Sequence, residues 1–257
     1  IYTAENSDRA FEEEVMLSGF GNAQVKGEGS GVSFDEAQET FTARYTHETV
    51  ALAFAITEEA IEDNLYDRLA SRYTKALARS MSNAKQVKAV EPLINGFGGG
   101  FTSGDGANLF STSHSTVSGS FQNTLTTQAD LNETSLEQSL IDIGQMTDER
   151  GLRVAARGLK MIIPSELQFT AERLMKSQGR TGTADNDINA IVSMGMVPQG
   201  YRVNNYLTDT DAFFIITDVP NGMKMFTRAP LTTAMEGDFD TGNVRYKARE
   251  RYSFGVS

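Results

Sequence analysis

Asp105, Ser111, Ser113 and His114 fall within ten residues of one another in a glycine-rich stretch. Together they carry the groups of a nucleophile, a base and an orienting acid, the set a hydrolase needs. No Gly-x-Ser-x-Gly elbow accompanies them, and His114 is one of only two histidines in the chain. The expectation for this loop is packing, with a hydrolase using His114 as the weaker alternative. Cysteine is absent, so no thiolate nucleophile or thiolate metal site is available, and His47 and His114 alone do not make a zinc set. Gly27-Glu28-Gly29-Ser30-Gly31 has the glycine density of a phosphate cradle, but it lacks the preceding strand, the helix immediately after, and the Lys-Ser or Lys-Thr ending. Flexibility is its expected property. No catalytic, metal or cofactor-binding residue is assigned, and no cofactor is expected.

The elements that must carry these residues come from a chain of 257 residues, 39% hydrophobic and 22% charged. That is an ordinary globular composition, and no stretch approaches the roughly 20 consecutive apolar residues of a membrane helix. The first residue is Ile1 rather than Met, with no charged-then-apolar leader pattern, which points to a start that was processed or omitted. Asn132-Glu133-Thr134 matches a glycosylation acceptor, but a helix cap explains the same residues.

Residues 10–56 read as extended structure forming a hairpin with a flexible tip. On the return arm Val50, Leu52, Phe54 and Ile56 alternate with Ala51, Ala53 and Ala55, while Phe41, Ala43 and Tyr45 lie on the opposite parity, so a bulge or crossover is expected near His47. Thr57 caps a long helix whose apolar stripe is Ile61, Leu65, Leu69, Tyr73, Leu77, Met81, Ala84 and Val87. The helix is expected to end near Pro92, with Lys85 and Lys88 complementing its negative end. A Gly/Ser/Thr/Asn-rich stretch without periodicity fills 95–130. Then follow a helix capped by Thr134 with Glu137 and closing near Gly151, a strand at Leu159–Ile163, a helix opened by Pro164-Ser165 and ending near Gly179, and a short helix around Asn186–Val192. Strands at Tyr201–Leu207, Ala212–Thr217, Met223–Met235 and Val244–Val256 complete an α+β chain.

The net charge of −11 is concentrated. Up to Asn64 there are fourteen acidic residues against three basic ones, and the remainder is neutral. Free nucleic-acid binding is disfavoured by that balance, and the acidic quarter suits a basic partner. Arg68, Arg72, Lys75 and Arg79 form one basic stripe on the long helix. In the final strand Arg245, Lys247, Arg249 and Arg251 alternate with Tyr246, Ala248, Glu250 and Tyr252, which puts four cations on one face.

The order of parts, an acidic hairpin, one very long helix, a glycine-rich loop, an α/β insert and a return to long strands, resembles the major head protein of tailed bacteriophages. So do local words: Leu109-Phe110-Ser111-Thr112-Ser113-His114, Gly182-Thr183-Ala184-Asp185-Asn186-Asp187-Ile188-Asn189-Ala190, Asn205-Tyr206-Leu207-Thr208-Asp209-Thr210-Asp211-Ala212, and Met235-Glu236-Gly237-Asp238-Phe239 leading to Arg245 through Gly255. The resemblance implies a Hong Kong 97-like fold: 1–56 as N-terminal segment and extended hairpin, 57–130 as spine helix and glycine-rich loop of a peripheral domain, 131–222 as an axial α/β domain, and 223–257 as returning peripheral strands. It implies a homo-oligomer of pentamers and hexamers, a virion assembled in the host cytoplasm around double-stranded DNA, and portal, scaffold or decoration proteins as partners, with no membrane. An encapsulin-type nanocompartment shell is the alternative.

On the same footing, the resemblance lets Arg68, Arg72, Lys75 and Arg79 face packaged DNA. Glu12, Glu13, Glu14, Asp35, Glu36 and Glu39 of the hairpin would meet Arg245, Lys247, Arg249 and Arg251 of a neighbour. Some capsids of this kind join a lysine to an asparagine between subunits, which singles out Lys26, although a solvated lysine is the simpler expectation.

Overall fold

The computed structural model describes residues 1–63, 66–180, 187–220 and 222–256, with the side chains of 66–70 excepted. In chain order the elements are β1 (Thr3–Asn6), β2 (Phe11–Ser18), β3 (Gln38–Thr46), β4 (Glu48–Ile56), α1 (Glu58–Glu62), α2 (Tyr66–Asn95), β5 (His114–Thr116), β6 (Gly119–Phe121) and α3 (Glu133–Gln145). They continue with β7 (Gly158–Ile163), α4 (Gln168–Lys176), α5 (Ala190–Ser193), β8 (Tyr201–Val203), β9 (Phe214–Thr217), β10 (Met223–Gly237) and β11 (Val244–Val256).

One four-stranded sheet has the order β1-β10-β11-β4, and β2 pairs only with β3 as a two-stranded arm. The chain changes sheets at His47, between β3 and β4, where the parity of the apolar residues reverses. Ala248 on β11 and Val50 and Phe54 on β4 pack with Leu77 and Met81 of α2, so the helix lies along one face of the sheet. At its C-terminal end Val90 and Leu93 pack with Ile162, Leu207 and Phe214. The same helix therefore joins the large sheet to a second sheet, β8-β7-β9, which carries its own core with α3, α4 and α5 around Leu136, Met161, Ile163, Leu174 and Ile191.

Several expected boundaries move. Thr57 does cap a helix, through the Ala60 amide, but α1 is a single short turn element ending at Asp63 before α2 begins. Pro92 sits inside α2 rather than ending it. A proline there removes one backbone hydrogen bond, and burial of Leu93 against the second sheet offsets that loss. Tyr73 and Val87 of the expected stripe are exposed, and Leu65 and Leu69 lie outside the described side chains. Lys85 and Lys88 do not cap the helix end; they pair with Glu250 at 3.3 Å and with Glu48.

Asn132, not Thr134, caps α3, with Ser135 in place of Glu137 as the reciprocal partner at 2.9 and 3.0 Å. The helix stops at Gln145 because Asp148 gathers the amides of Arg150 and Leu152 into a turn. Of the α/β words, 182–186 lie outside the described residues.

Candidate assembly surface

The arm carries a run of apolar side chains that its own strands leave uncovered. Leu17, Phe20, Val25, Val32 and Phe34 are all exposed, Val25 and Phe34 almost completely. Its root, by contrast, is fixed by a polar cluster. Lys224, buried on β10, pairs with Glu14 of β2 and lies 3.8 Å from Glu5. Tyr45 donates to Glu14 at 3.2 Å and lies edge-on to Phe226. Ser7 donates to Glu12 at 2.6 Å, so at 2.9 Å it accepts from His47 Nε2. That leaves His47 Nδ1 to accept from Ser253 at 3.0 Å. Burial lowers the proton affinity of His47, Glu12 opposes this, and Arg251 and Arg228 add to it.

Cross-strand pairing places Arg245, Lys247, Arg249 and Arg251 opposite Ala55, Ala53, Ala51 and Thr49 of β4, and opposite Glu236, Ala234, Thr232 and Ala229 of β10. All four cations share the face away from α2, as period-two geometry requires. Along that face Ser253 and Gly255 are covered by His47 and Tyr45, whereas the stretch from Arg245 to Arg249 is open. Arg245 is held by Asp238. Among the described residues Lys247, Arg249 and Arg251 have no ion-pair partner, and the Nε atoms of Arg251 and of Arg228 on β10 are buried without one.

The expected acidic residues divide. Glu12 and Glu13 meet Arg9 and Arg44 at 4.0 and 3.3 Å, and Arg44 also stacks over Phe11. Glu14 is taken by Lys224, and Asp35 pairs with Arg150 at 2.8 Å. Glu36 and Glu39 are exposed, as is Glu28 at the tip, and among the described residues their side chains have no partner. Arg72, Lys75 and Arg79 are exposed on α2, and Arg68 lies outside the described side chains. Lys75 and Arg79 are each two residues from buried Leu77, a rotation of about 200°, so the stripe faces away from the sheet rather than flanking its contact.

In the glycine-rich loop Asp105 is 3.0 Å from His114 Nδ1 and accepts from Ser103 and from the amides of Ala107 and Ser115. Burial raises its carboxyl, but these bonds outweigh burial and hold it below its ordinary value. His114 Nε2 is buried with no partner among the described residues, and neither Ser111 nor Ser113 bonds to the ring; Ser111 accepts the Ser113 amide instead. An orienting acid and a base are present without a nucleophile on the reactive nitrogen. Phe97 and Phe110 pack with Phe214, and Phe110 donates back to Gly96 at 2.9 Å, which ties the loop to the second sheet.

A family model described as phage capsid protein matches residues 39–256, from the returning strand of the arm, β3, to the end of β11. The chain belongs to the phage capsid protein family. No curated protein sequence matches this capsid protein significantly. Among solved structures it is similar to the capsid of an empty GTA particle, with 15% identity, 100% of this chain and 84% of that one covered, and a TM-score of 0.56. It is similar to the bacteriophage JBD30 capsid at 12% identity, covering 81% and 89%, with a TM-score of 0.63. The capsid of the Myoviridae phage XM1 gives 12% identity, 100% and 85% coverage, and 0.56.

At such identities the likeness is one of fold, and that fold is the α+β, Hong Kong 97-like arrangement expected from the order of parts. The role is that of a structural capsid subunit, and nothing in the comparisons favours an encapsulin shell or a hydrolase. Lys26 of the capsid protein is exposed at the arm tip, beside the turn closed by Ser30 and Gly27.

Proposed function

We propose that this capsid protein assembles through pentamers and hexamers into an icosahedral head enclosing double-stranded DNA, built in the host cytoplasm with portal, scaffold or decoration proteins as partners. The observation that carries the reading is the arm, a two-stranded ribbon whose Leu17, Phe20, Val25, Val32 and Phe34 are left exposed by the described residues. Apolar surface of this kind is stabilised only by burial, and a ring of identical subunits buries it in heterologous contacts.

Of the division into N-terminal segment and hairpin (1–56), spine helix and loop (57–130), axial unit (131–222) and returning strands (223–257), the core around Met161 supports the axial unit as a part of its own, while the core around Met81 joins β4, α2 and β11 across the other three. The arm's acidic side chains and the Arg245–Arg251 ladder supply opposite charge for neighbouring copies, and the outward stripe Arg72, Lys75 and Arg79, with Arg68, suits phosphate contact without sequence reading. Sedimentation and electron microscopy of the purified protein test the assembly. Closed shells are expected; a strict monomer under every near-physiological condition overturns it.

A further inference from the structure

We propose that β4, the long open edge of the four-stranded sheet, pairs antiparallel with β4 of a second copy across a local two-fold axis, which makes the two sheets continuous. The inference rests on the shell reading and names the contact that joins one ring of subunits to the next. β4 is bonded to β11 on one side and, among the described residues, to nothing on the other. An open strand edge presents a row of backbone N–H and C=O groups, and chains that stay apart blunt it with charge, proline, a bulge or shortness. β4 has none of these. It is nine residues long, its register with β11 runs unbroken, and residues 49–56 hold neither a charge nor a proline. The opposite edge is protected in the ordinary way, for β1 is four residues long and carries Glu5.

The edge is self-complementary when the axis passes beside Leu52. Leu52 then lies opposite Leu52, Val50 opposite Phe54, Ala51 opposite Ala53 and Thr49 opposite Ala55 of the second copy, each pair sharing a face. Leu52 is 46% exposed, and Tyr73 of α2, equally exposed, packs on Phe54 with ring centroids 5.6 Å apart, so the pairing covers an apolar rim. Glu48, the one acid of the strand, stands at its end and is bound to Lys88, and antiparallel pairing carries the two copies of it to opposite ends. On the other face Ala51, Ala53 and Ala55 lie beside the cations of β11. Two alanine-lined strands keep the cationic rows of the two copies three strand spacings apart, about 14 Å, beyond the screening length of ~8 Å at physiological salt. A segment of some other protein is the less favoured occupant because the strand already matches itself.

The symmetry suits a shell. A two-fold axis perpendicular to the sheet leaves α2 of both copies on the same face, as a wall with one interior requires. The second sheet packs on the C-terminal end of α2 through Val90 and Leu93, and Lys88 just before them reaches Glu48, so that sheet lies beyond the Glu48 end of β4. Antiparallel pairing sends the two second sheets in opposite directions, where they do not collide. Neighbours within a ring are turned by a fifth or a sixth of a revolution, so their strands cannot run antiparallel. Only copies in adjoining rings can pair in this way.

Cysteine is absent from the chain, so a single introduced thiol reports its own neighbours. Leu52→Cys and, as control, Thr49→Cys are made in the full chain and treated with an oxidant or a short dimaleimide under near-physiological conditions. Directly opposite residues have Cα atoms about 4.5 to 5.5 Å apart, within disulfide reach, whereas the two Thr49 positions stand about 20 Å apart. Leu52→Cys should give a covalent dimer as the main product, and Thr49→Cys should stay monomeric. Leu52→Lys sets like charges face to face and should raise the subunit concentration for shell formation by at least about tenfold, leaving rings unjoined. The thermal midpoint of its unassembled subunits should stay near wild type, which separates lost pairing from misfolding. Absence of the Leu52→Cys dimer, with shells or without them, overturns the pairing, as does equal linking through Thr49→Cys. Leu52→Lys shells of unchanged midpoint overturn it as well. Loss of shells by Leu52→Lys without a Leu52→Cys dimer also overturns it, by giving the edge to a different occupant. Leu52→Cys dimers from a protein that never closes shells would keep the edge pairing and defeat the shell reading instead.

Discussion

Arg150, in the turn that ends α3, donates to Asp35 at 2.8 Å and to the carbonyls of Gly19 and Glu36 at 3.1 and 2.9 Å, so one guanidinium grips both strands of the arm just past the end of the β2–β3 ladder. The Gly21 amide above all, with the Glu36 amide and Arg150 adding to it, holds the Asp35 carboxyl below its ordinary value against the opposing effect of desolvation. Arg150→Ala should leave the thermal midpoint of the subunit nearly unchanged and speed amide exchange across residues 19–37. Unchanged exchange there would mean that the ribbon holds its direction without the clamp.

His47 makes the arm root sensitive to acid. Its folded proton affinity lies below the ordinary value of 6.5, so the unfolded chain takes up a proton first as pH falls. The contribution is complete above about pH 6.5 and declines below it until the folded group also titrates, with a slope of at most ~1.4 kcal/mol per pH unit. Glu12, Arg251, Arg228 and the hydroxyls of Ser7 and Ser253 are the groups facing it. Urea midpoints of unassembled wild type and His47→Gln between pH 7.5 and 5 should converge as pH falls; parallel lines would remove His47 as the cause.

Gly255 lies under Tyr45, and a Cβ there would stand 2.6 Å from the ring. Gly255→Ala should cost about 1 to 3 kcal/mol by pushing Tyr45 off the sheet. Loss of the Tyr45–Glu14 bond should accompany it, detectable as faster exchange in β2. A melting temperature equal to wild type would show that the ring can slide without cost.

The two glycine clusters should behave differently between copies in one particle. Residues 27–31 carry a left-handed Gly29 in an exposed turn, whereas 96–106 is bound through Phe110, Asn108 and Asp105. Superposed subunits should diverge at the first and coincide at the second. Equal divergence would show that the aromatic contacts of Phe97 and Phe110 do not hold that loop.

Much of this was legible because it rests on local pattern. β11 runs from Val244 to Val256 as its alternation predicts, and the sheet change at His47 falls where the parity of Tyr45 and Val50 reverses. What sequence does not carry is competition between neighbours. Asn132 displaces Thr134 as the cap because Ser135 can reciprocate from it, and Pro92 is absorbed because the second sheet holds the turn beyond it. β1 escapes notice because four residues become a strand only when they reach β10, in parallel, at the far end of the chain. Arg228 was missed for the same reason. Its alternation is broken by the irregularity in β10, and only the folded sheet sets it beside Arg251.

β1 and β4 are the two edges of the large sheet, and the arm leaves from one and returns into the other. The two connections nevertheless converge before the arm begins: Ser7, just after β1, and His47, just before β4, are bonded at 2.9 Å, and Phe11 pairs with Thr46 at the base of the ribbon. The arm therefore stands on one narrow ladder rather than on the two edges of the sheet. A ribbon rooted at a single place swings about that place, so the polar cluster at the root sets the angle at which each copy's arm departs.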